Sequence, residues 1–147
     1  MSLNDAWAAG FFDGEGCIGA YHNGGGRYQL AVIVTNTDRR PLDIFLELYG
    51  GTFGVNKKET DPKHRTSWDV RLRGSEAEAF LRRILPYSVV NKDQIELVLN
   101  FWFQAKGDNP RRGEIAKELV RLKRIFSPDE NGNRIAEILN RQGVLCL

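Results

Sequence analysis

The chain has 147 residues, 41% hydrophobic and 27% charged, with a formal net charge of +2. That length and balance suit one domain with a real core and exclude a disordered or fibrous chain. No apolar run approaches the roughly 20 residues of a membrane-spanning helix, and no basic segment followed by an apolar one marks a secretory leader. Cys17 and Cys146, with His22 and His64, lack metal-site spacing. They read as free thiols and lone imidazoles in an intracellular, reducing compartment such as cytoplasm or an organelle stroma or matrix, with no membrane and no small-molecule cofactor.

Asn4 or Asp5 can cap a first helix running to about Asp13. Leu3, Ala6, Gly10 and Gly14 lie near one of its faces, and Trp7, Ala8, Phe11 and Phe12 near another. "GCIGAYHN" follows as a strand and "GGG" as a turn. "RYQLAVIVT" alternates, with Tyr28, Leu30, Val32 and Val34 against Arg27, Gln29, Ala31, Ile33 and Thr35. Asp38 and Pro41 open a second helix whose apolar set is Leu42, Phe45, Leu46 and Tyr49, and "YGG" ends it.

The plan then repeats. "TFGVNKK" is a strand, "TDPKH" a loop, and "TSWDVRLR" a strand with Trp68, Val70 and Leu72 opposite Ser67, Asp69, Arg71 and Arg73. Ser75 and Glu78 suggest a capping box for a third helix carrying Ala77, Phe80, Leu81, Ile84 and Leu85. The order αββα then ββα predicts an α+β fold with one antiparallel sheet, apolar on one face and polar on the other. A helix from Lys92 to Ala105 and another from Gly113 to Ile125 follow, then turn signals in "SPDENGN" and a short helix near Arg134–Arg141. Residues 106–125 carry seven basic and three acidic side chains, whereas residues 1–60 carry five basic and seven acidic. Such a basic segment is either a solvated face or a phosphate-binding patch.

"WAAGFFDGEGCIG" is the stretch that ordinary packing does not explain. Gly10 and Gly14 each weaken a helix by about 0.5–1 kcal/mol relative to alanine. Four residues apart, they share a face without side chains, which lets two helix backbones approach closely; the alternative is that one of them is a helix cap. Glu15 leaves the helix where free carbonyls point outward. A carboxylate there is poorly placed unless a cation joins it, and hard divalent ions such as Mg²⁺ take oxygen ligands of this kind. The alternative is a solvated turn glutamate.

"AAGFFDGEG" (Ala8 to Gly16) resembles the LAGLIDADG motif of homing endonucleases, with Ala8 where leucine is commoner. "TNTDRRPL" (Thr35 to Leu42) and "LPYSVVNKDQIELV" (Leu85 to Val98) resemble segments that follow the motif at similar spacing. The resemblance covers about residues 5–105 and implies a single-motif member: an αββαββα core with a curved antiparallel sheet and extra C-terminal helices, residues 1–147 forming one domain. It implies that the motif helix packs on a second motif helix through Ala6, Gly10, Asp13 and Gly14, with Asp13 structural at the helix end. It implies that Glu15, with the carbonyl of Gly14 nearby, binds catalytic Mg²⁺, and that the sheets straddle double-stranded DNA in the major groove while the acids lie over the minor groove. Asn36 stands where the family has a polar residue that orients water, and Arg39 or Arg40 neutralises phosphate charge. Asn91 occupies the place of a family lysine, with Lys92 next to it as the candidate substitute; Asn91 also reads as a helix N-cap boxed with Gln94.

The polar strand parity collects Tyr21, Asn23, Arg27, Gln29, Thr35, Asn56, Lys58, Ser67, Asp69, Arg71 and Arg73. Arg and Gln suit guanine and adenine edges, and Asp can accept from cytosine N4; a merely wet face is the alternative. Lys117 and Arg121 on the basic helix would touch phosphates. One motif supplies one acid, so cutting both strands asks for a homodimer and a long pseudo-palindromic target. The reading is a Mg²⁺-dependent, site-specific endonuclease that hydrolyses phosphodiesters. Two readings compete with it: an intron maturase or DNA/RNA-binding protein of the same fold without cleavage, and a helix-mediated scaffold, which the Arg/Gln/Asn face opposes.

Overall fold

The computed structural model describes residues 3–57, 63 and 65–125. In chain order they form α1 (Leu3–Glu15), β1 (Gly16–His22), β2 (Tyr28–Asn36), α2 (Arg39–Tyr49), β3 (Thr52–Lys57), β4 (Ser67–Leu72) and α3 (Gly74–Ile84). A short 3-10 turn leads to α4 (Lys92–Leu97), which widens into a π-helical turn (Val98–Trp102) and ends in a 3-10 turn before α5 (Asn109–Ile125). The αββαββα order expected from the sequence is present, with helices added after it. The expected turn in "SPDENGN", the short helix near 134–141 and Lys58 lie outside the described residues.

The sheet runs β1-β2-β4-β3, every neighbouring pair antiparallel. Its inner face carries Ile18, Leu30, Val32, Val34, Val70 and Leu72, all buried. The three crossing helices meet over that face in a cluster of rings: Phe80 of α3 makes tilted or edge contacts with Phe12 of α1, at 5.5 Å between centroids, and with Phe45 of α2, at 4.8 Å. Such pairs add about 0.5–1.5 kcal/mol each beyond the area they bury. Gly16 serves this cluster, because a Cβ there would overlap the Phe12 ring.

Three local expectations are corrected. The first helix already begins at Leu3, so Asp5 lies within its first turn instead of capping it. Its carboxylate accepts from the Tyr49 hydroxyl at 2.7 Å and pairs with Arg83 at 3.0 Å, tying α1 to α2 and α3. Burial and the Asp5 carboxylate push the Tyr49 phenol well above its ordinary range, so it stays a donor. The Ser75/Glu78 box does not form: α3 starts at Gly74 with no side-chain cap, Glu78 pairs with Arg82, and Glu76 accepts from the Gly51 N–H at 2.9 Å. Asn91 makes no side-chain cap to the helix backbone either: its Nδ2 turns inward to α1, while its Oδ1 accepts from the expected partner, Gln94 Nε2, at 3.5 Å. Asp38 does cap α2, its Oδ1 accepting from Arg40 N at 2.9 Å.

Candidate active site and nucleic-acid interface

The two acids that end the motif helix have opposite surroundings. Asp13 is half-buried, and its carboxylate accepts three hydrogen bonds: from Ser88 Oγ at 2.7 Å, Val89 N at 2.7 Å and Asn91 N at 3.1 Å. Beside it, Asn91 Nδ2 donates to the carbonyl of Phe12 at 3.2 Å. Segment 88–91 is thus clamped to the C-terminal end of α1, and Lys92 follows directly as the half-buried first residue of α4. Glu15 is exposed, one residue past exposed Gly14. The described residues contain no group of three or more His, Cys, Asp or Glu that could hold a metal. A magnesium site here would rest on the Glu15 carboxylate and the Gly14 carbonyl. Those hard oxygen donors fit an ion that keeps several waters and is bound through one or two carboxylates and substrate phosphates.

The face of α1 next to this end is bare. Leu3 is 83% exposed; Trp7, 39% exposed, stacks on the Phe11 ring at 5.4 Å between centroids. A side chain at Gly10 or Gly14 would meet nothing within 4 Å. Ala6, half-buried, borders the same face.

The other residues implied near the chemistry are spread along the β2–α2 junction. Asn36, half-buried at the end of β2, accepts from Asp38 N at 2.9 Å. Arg40 is locked onto Asp38, whose carboxyl it holds down at about 2. Arg39 lies over the Phe53 ring at 4.5 Å and pairs with Asp43 at 3.7 Å.

Strand register brings the polar parity together. Tyr21 lies opposite Gln29, Thr35 opposite Asp69, and Ile33 opposite Arg71. The face is less uniformly wet than the alternation predicts: Ala31 is buried and Ile33 half-buried. Asp69 is buried as well, and its Oδ2 receives Nε and Nη2 of Arg71 at 3.3 and 3.1 Å. Arg73 donates to the Tyr21 hydroxyl at 3.4 Å, and Asn56 to Ser67 Oγ at 3.3 Å. Asn23 closes the β1–β2 turn, its Oδ1 accepting from Gly25 N and Arg27 N at 2.9 and 3.1 Å. Gln29 and Arg27 are exposed.

Helix α5 buries Ile115, Ala116, Leu119 and Leu122 and exposes Lys117, Arg121 and Arg124. Arg121 is engaged by Glu118, which raises the guanidinium's pKa and lowers the carboxyl's. Near the end of α5, Lys123 Nζ donates to the carbonyl of Ile18 on edge strand β1. Sequence reasoning missed the clamp at Ser88 and a basic recess around Trp102, Lys106 and Arg112. The only signal for the recess was the charge count of residues 106–125.

A family model described as a LAGLIDADG-like domain matches residues 3–85, more than half of the chain. No curated protein matches by sequence. Among solved structures, the homing endonuclease I-CvuI in complex with its target superposes with a TM-score of 0.66 at 21% identity, covering 98% of this chain and 97% of that one. The archaeal intron-encoded homing endonuclease I-Vdi141I, complexed with DNA, gives 0.65 at 17% identity over 97% and 98%. The LAGLIDADG meganuclease I-AabMI, bound to uncleaved DNA, gives 0.59 at 21% identity, this chain covering 43% of it. At such identities these likenesses establish the fold. With its motif helix, its four-stranded antiparallel sheet and the family model that spans both, the chain belongs to the LAGLIDADG-like domain family.

Proposed function

We propose that this chain is a homodimeric, Mg²⁺-dependent endonuclease that makes double-strand breaks in a long pseudo-palindromic DNA target. The observation that carries the reading is the division of labour at the end of α1. Asp13 accepts three hydrogen bonds from segment 88–91, while Glu15 stands exposed beside Gly10 and Gly14, which put no side chain between α1 and a second helix. Two copies meeting through Ala6, Gly10, Gly14 and the neighbourhood of Asp13 would set two Glu15 carboxylates side by side, one for each strand.

Glu15 and the Gly14 carbonyl would hold the ion. Bound there, Mg²⁺ supplies an activated water and neutralises the leaving 3′-oxygen. Asn36 and Lys92 are the candidates for orienting water and stabilising developing charge, and Arg39 and Arg40 for neutralising phosphate. The sheet reads the major groove through Tyr21, Arg27, Gln29, Thr35, Ser67, Arg71 and Arg73, with Asn23 and Asn56 at its rim; Lys58, outside the described residues, is a further candidate for DNA contact. Buried Asp69 holds the Arg71 fork in place, so its role is to position Arg71 for a guanine edge. Lys117 and Arg121 meet phosphates and set orientation. Residues 1–147 act as one domain, the core at about 5–105 and the helical segment beyond it. The solved neighbours support the DNA-binding part of this reading through their own complexes: I-CvuI was crystallised with its target in the presence of Ca and, with another target, in the presence of Mg with that DNA not cleaved.

A second reading, an intron maturase or DNA/RNA-binding protein of the same fold that does not cut, is favoured by one observation: Asn91 fills the place of the family lysine, and its amide is spent on the Phe12 carbonyl. A plasmid library carrying random targets, incubated with and without Mg²⁺, separates the two. Mg²⁺-dependent linear product supports the nuclease. Selective binding with no nick or break under any divalent ion supports the binding protein.

A further inference from the structure

Two adjoining recesses, of about 430 and 460 Å³, open where β2 begins. Arg112, Lys106 and Gln29 line both; Arg73 lines one and Arg27 the other. Four cations thus face this space. Among the described residues its one carboxylate, Glu78, is engaged by Arg82 at 2.9 Å. Arg112 is the unusual member. Its guanidinium lies 4.6 Å from the centre of the Trp102 ring, one Nη reaches the Trp102 carbonyl at 3.5 Å, and its buried Nε meets no acceptor among the described residues. A partly buried cation with an unused donor is costly unless an anion completes it. The recess also takes in Gly74 and Ser75, at the start of the eleven-residue α3. That helix has no side-chain cap, so its first N–H groups add positive potential to the same space.

The two recesses share Arg27, Gln29 and Arg73 with the polar sheet face. Arg73 extends the parity of Ser67, Asp69 and Arg71, and it donates to the hydroxyl of Tyr21, which stands opposite Gln29. A duplex lying along that face would carry its backbone past the recess mouth. We propose that this recess is a phosphate seat, in which Arg112 and Lys106, with Arg73 at the rim, grip one backbone phosphate of the DNA beside the base pairs that the sheet reads. The proposal rests on the nuclease reading for the source of the phosphate and adds an anchoring point to it. An arginine fork stacked on an aromatic ring suits a phosphate, and a contact of this kind fixes the register of the protein on the duplex without reading a base.

The test uses the full chain with target duplexes in which single phosphates are replaced by neutral methylphosphonates. Lys106→Ala, at an exposed position, is the primary variant; Arg112→Gln is the second, with circular dichroism to check its fold. For the wild type, one position per half-site should weaken binding about three- to tenfold, and Lys106→Ala should be indifferent to that position, with a salt slope shallower by about one. If every position weakens wild type and Lys106→Ala alike, the seat is overturned. If the wild type binds no duplex, the nuclease reading fails, and inorganic phosphate alone decides the seat. A saturable shift of the Trp102 indole resonance that Lys106→Ala weakens would retain it as a site for free phosphate, and no shift would overturn it.

Discussion

The two faces of α1 obey different rules. The inward face packs Ala8, Ala9 and Phe12 without exposed area and ties Asp5 to Tyr49 and Arg83. Each of those residues is explained by something the chain itself supplies. On the outward face, Leu3 stays exposed and a side chain at Gly10 or Gly14 would meet nothing within 4 Å, so no packing within the described residues accounts for these three; Trp7, also exposed, stacks on the Phe11 ring. The same division continues to the helix end, where Asp13 turns in and Glu15 turns out. A helix whose inner half is fully used while its outer half carries bare glycines and an exposed leucine fits the proposed interface.

That contrast can be broken at either side. The largest effect is expected at Glu15: Glu15→Gln should lower cleavage by more than about 100-fold, beyond the cost of losing a group that only orients a ligand. Its DNA affinity and thermal stability should match the wild type, as read by plasmid cleavage, gel shift and calorimetry. Unchanged cleavage would remove the metal role. Gly10→Leu comes next. It should leave the core folded but yield monomers or a loosened dimer without linear product, because catalysis loses about 100-fold for misplacements near 1 Å; sedimentation equilibrium beside the plasmid assay reads both. A Gly10→Leu protein that stays dimeric and fully active would contradict the account.

Asp13, the acid that turns inward, should behave in the opposite way. Asp13→Asn removes a charge that accepts three hydrogen bonds, and should cost about 2–4 kcal/mol in urea unfolding, whereas Glu15→Gln should stay within about 0.5 kcal/mol. Equal losses would mean that the two acids are not divided as described. The smallest effects belong to the DNA face. Arg71→Ala should relax preference at particular target positions by about 1–3 kcal/mol. Lys117→Ala should weaken binding to all sequences and flatten the salt slope by about one. A uniform loss in both variants on binding profiles would show that the sheet is not the reading surface.

Much of this was legible along the chain. Strand alternation, the Asp38 cap and the glycine spacing are local signals, and they placed every element of the core within about two residues. The hidden features are contacts between distant positions. Asp13 finds Ser88 and Asn91, residues more than seventy positions away, and Asp5 finds Arg83. Asn91 looked like a helix cap because cap chemistry and long-range amide bonding use the same side chain; the nearby Phe12 carbonyl wins. Asp69 looked solvated by parity, but its neighbour two residues along the strand, Arg71, covers it. The recess around Arg112 needed the 106–112 segment folded against the β1–β2 turn, which no periodicity reveals.

In the proposed dimer two copies each contribute one Glu15 to a shared centre. Wild-type protein mixed in equal amount with Glu15→Gln and given a plasmid with a selected target tests it directly. Mixed dimers hold one working acid, so nicked circles should accumulate as the principal new product while linear product falls. Linear product that drops only in proportion to the wild-type concentration, with no rise in nicked circles, would mean that each chain cuts both strands alone.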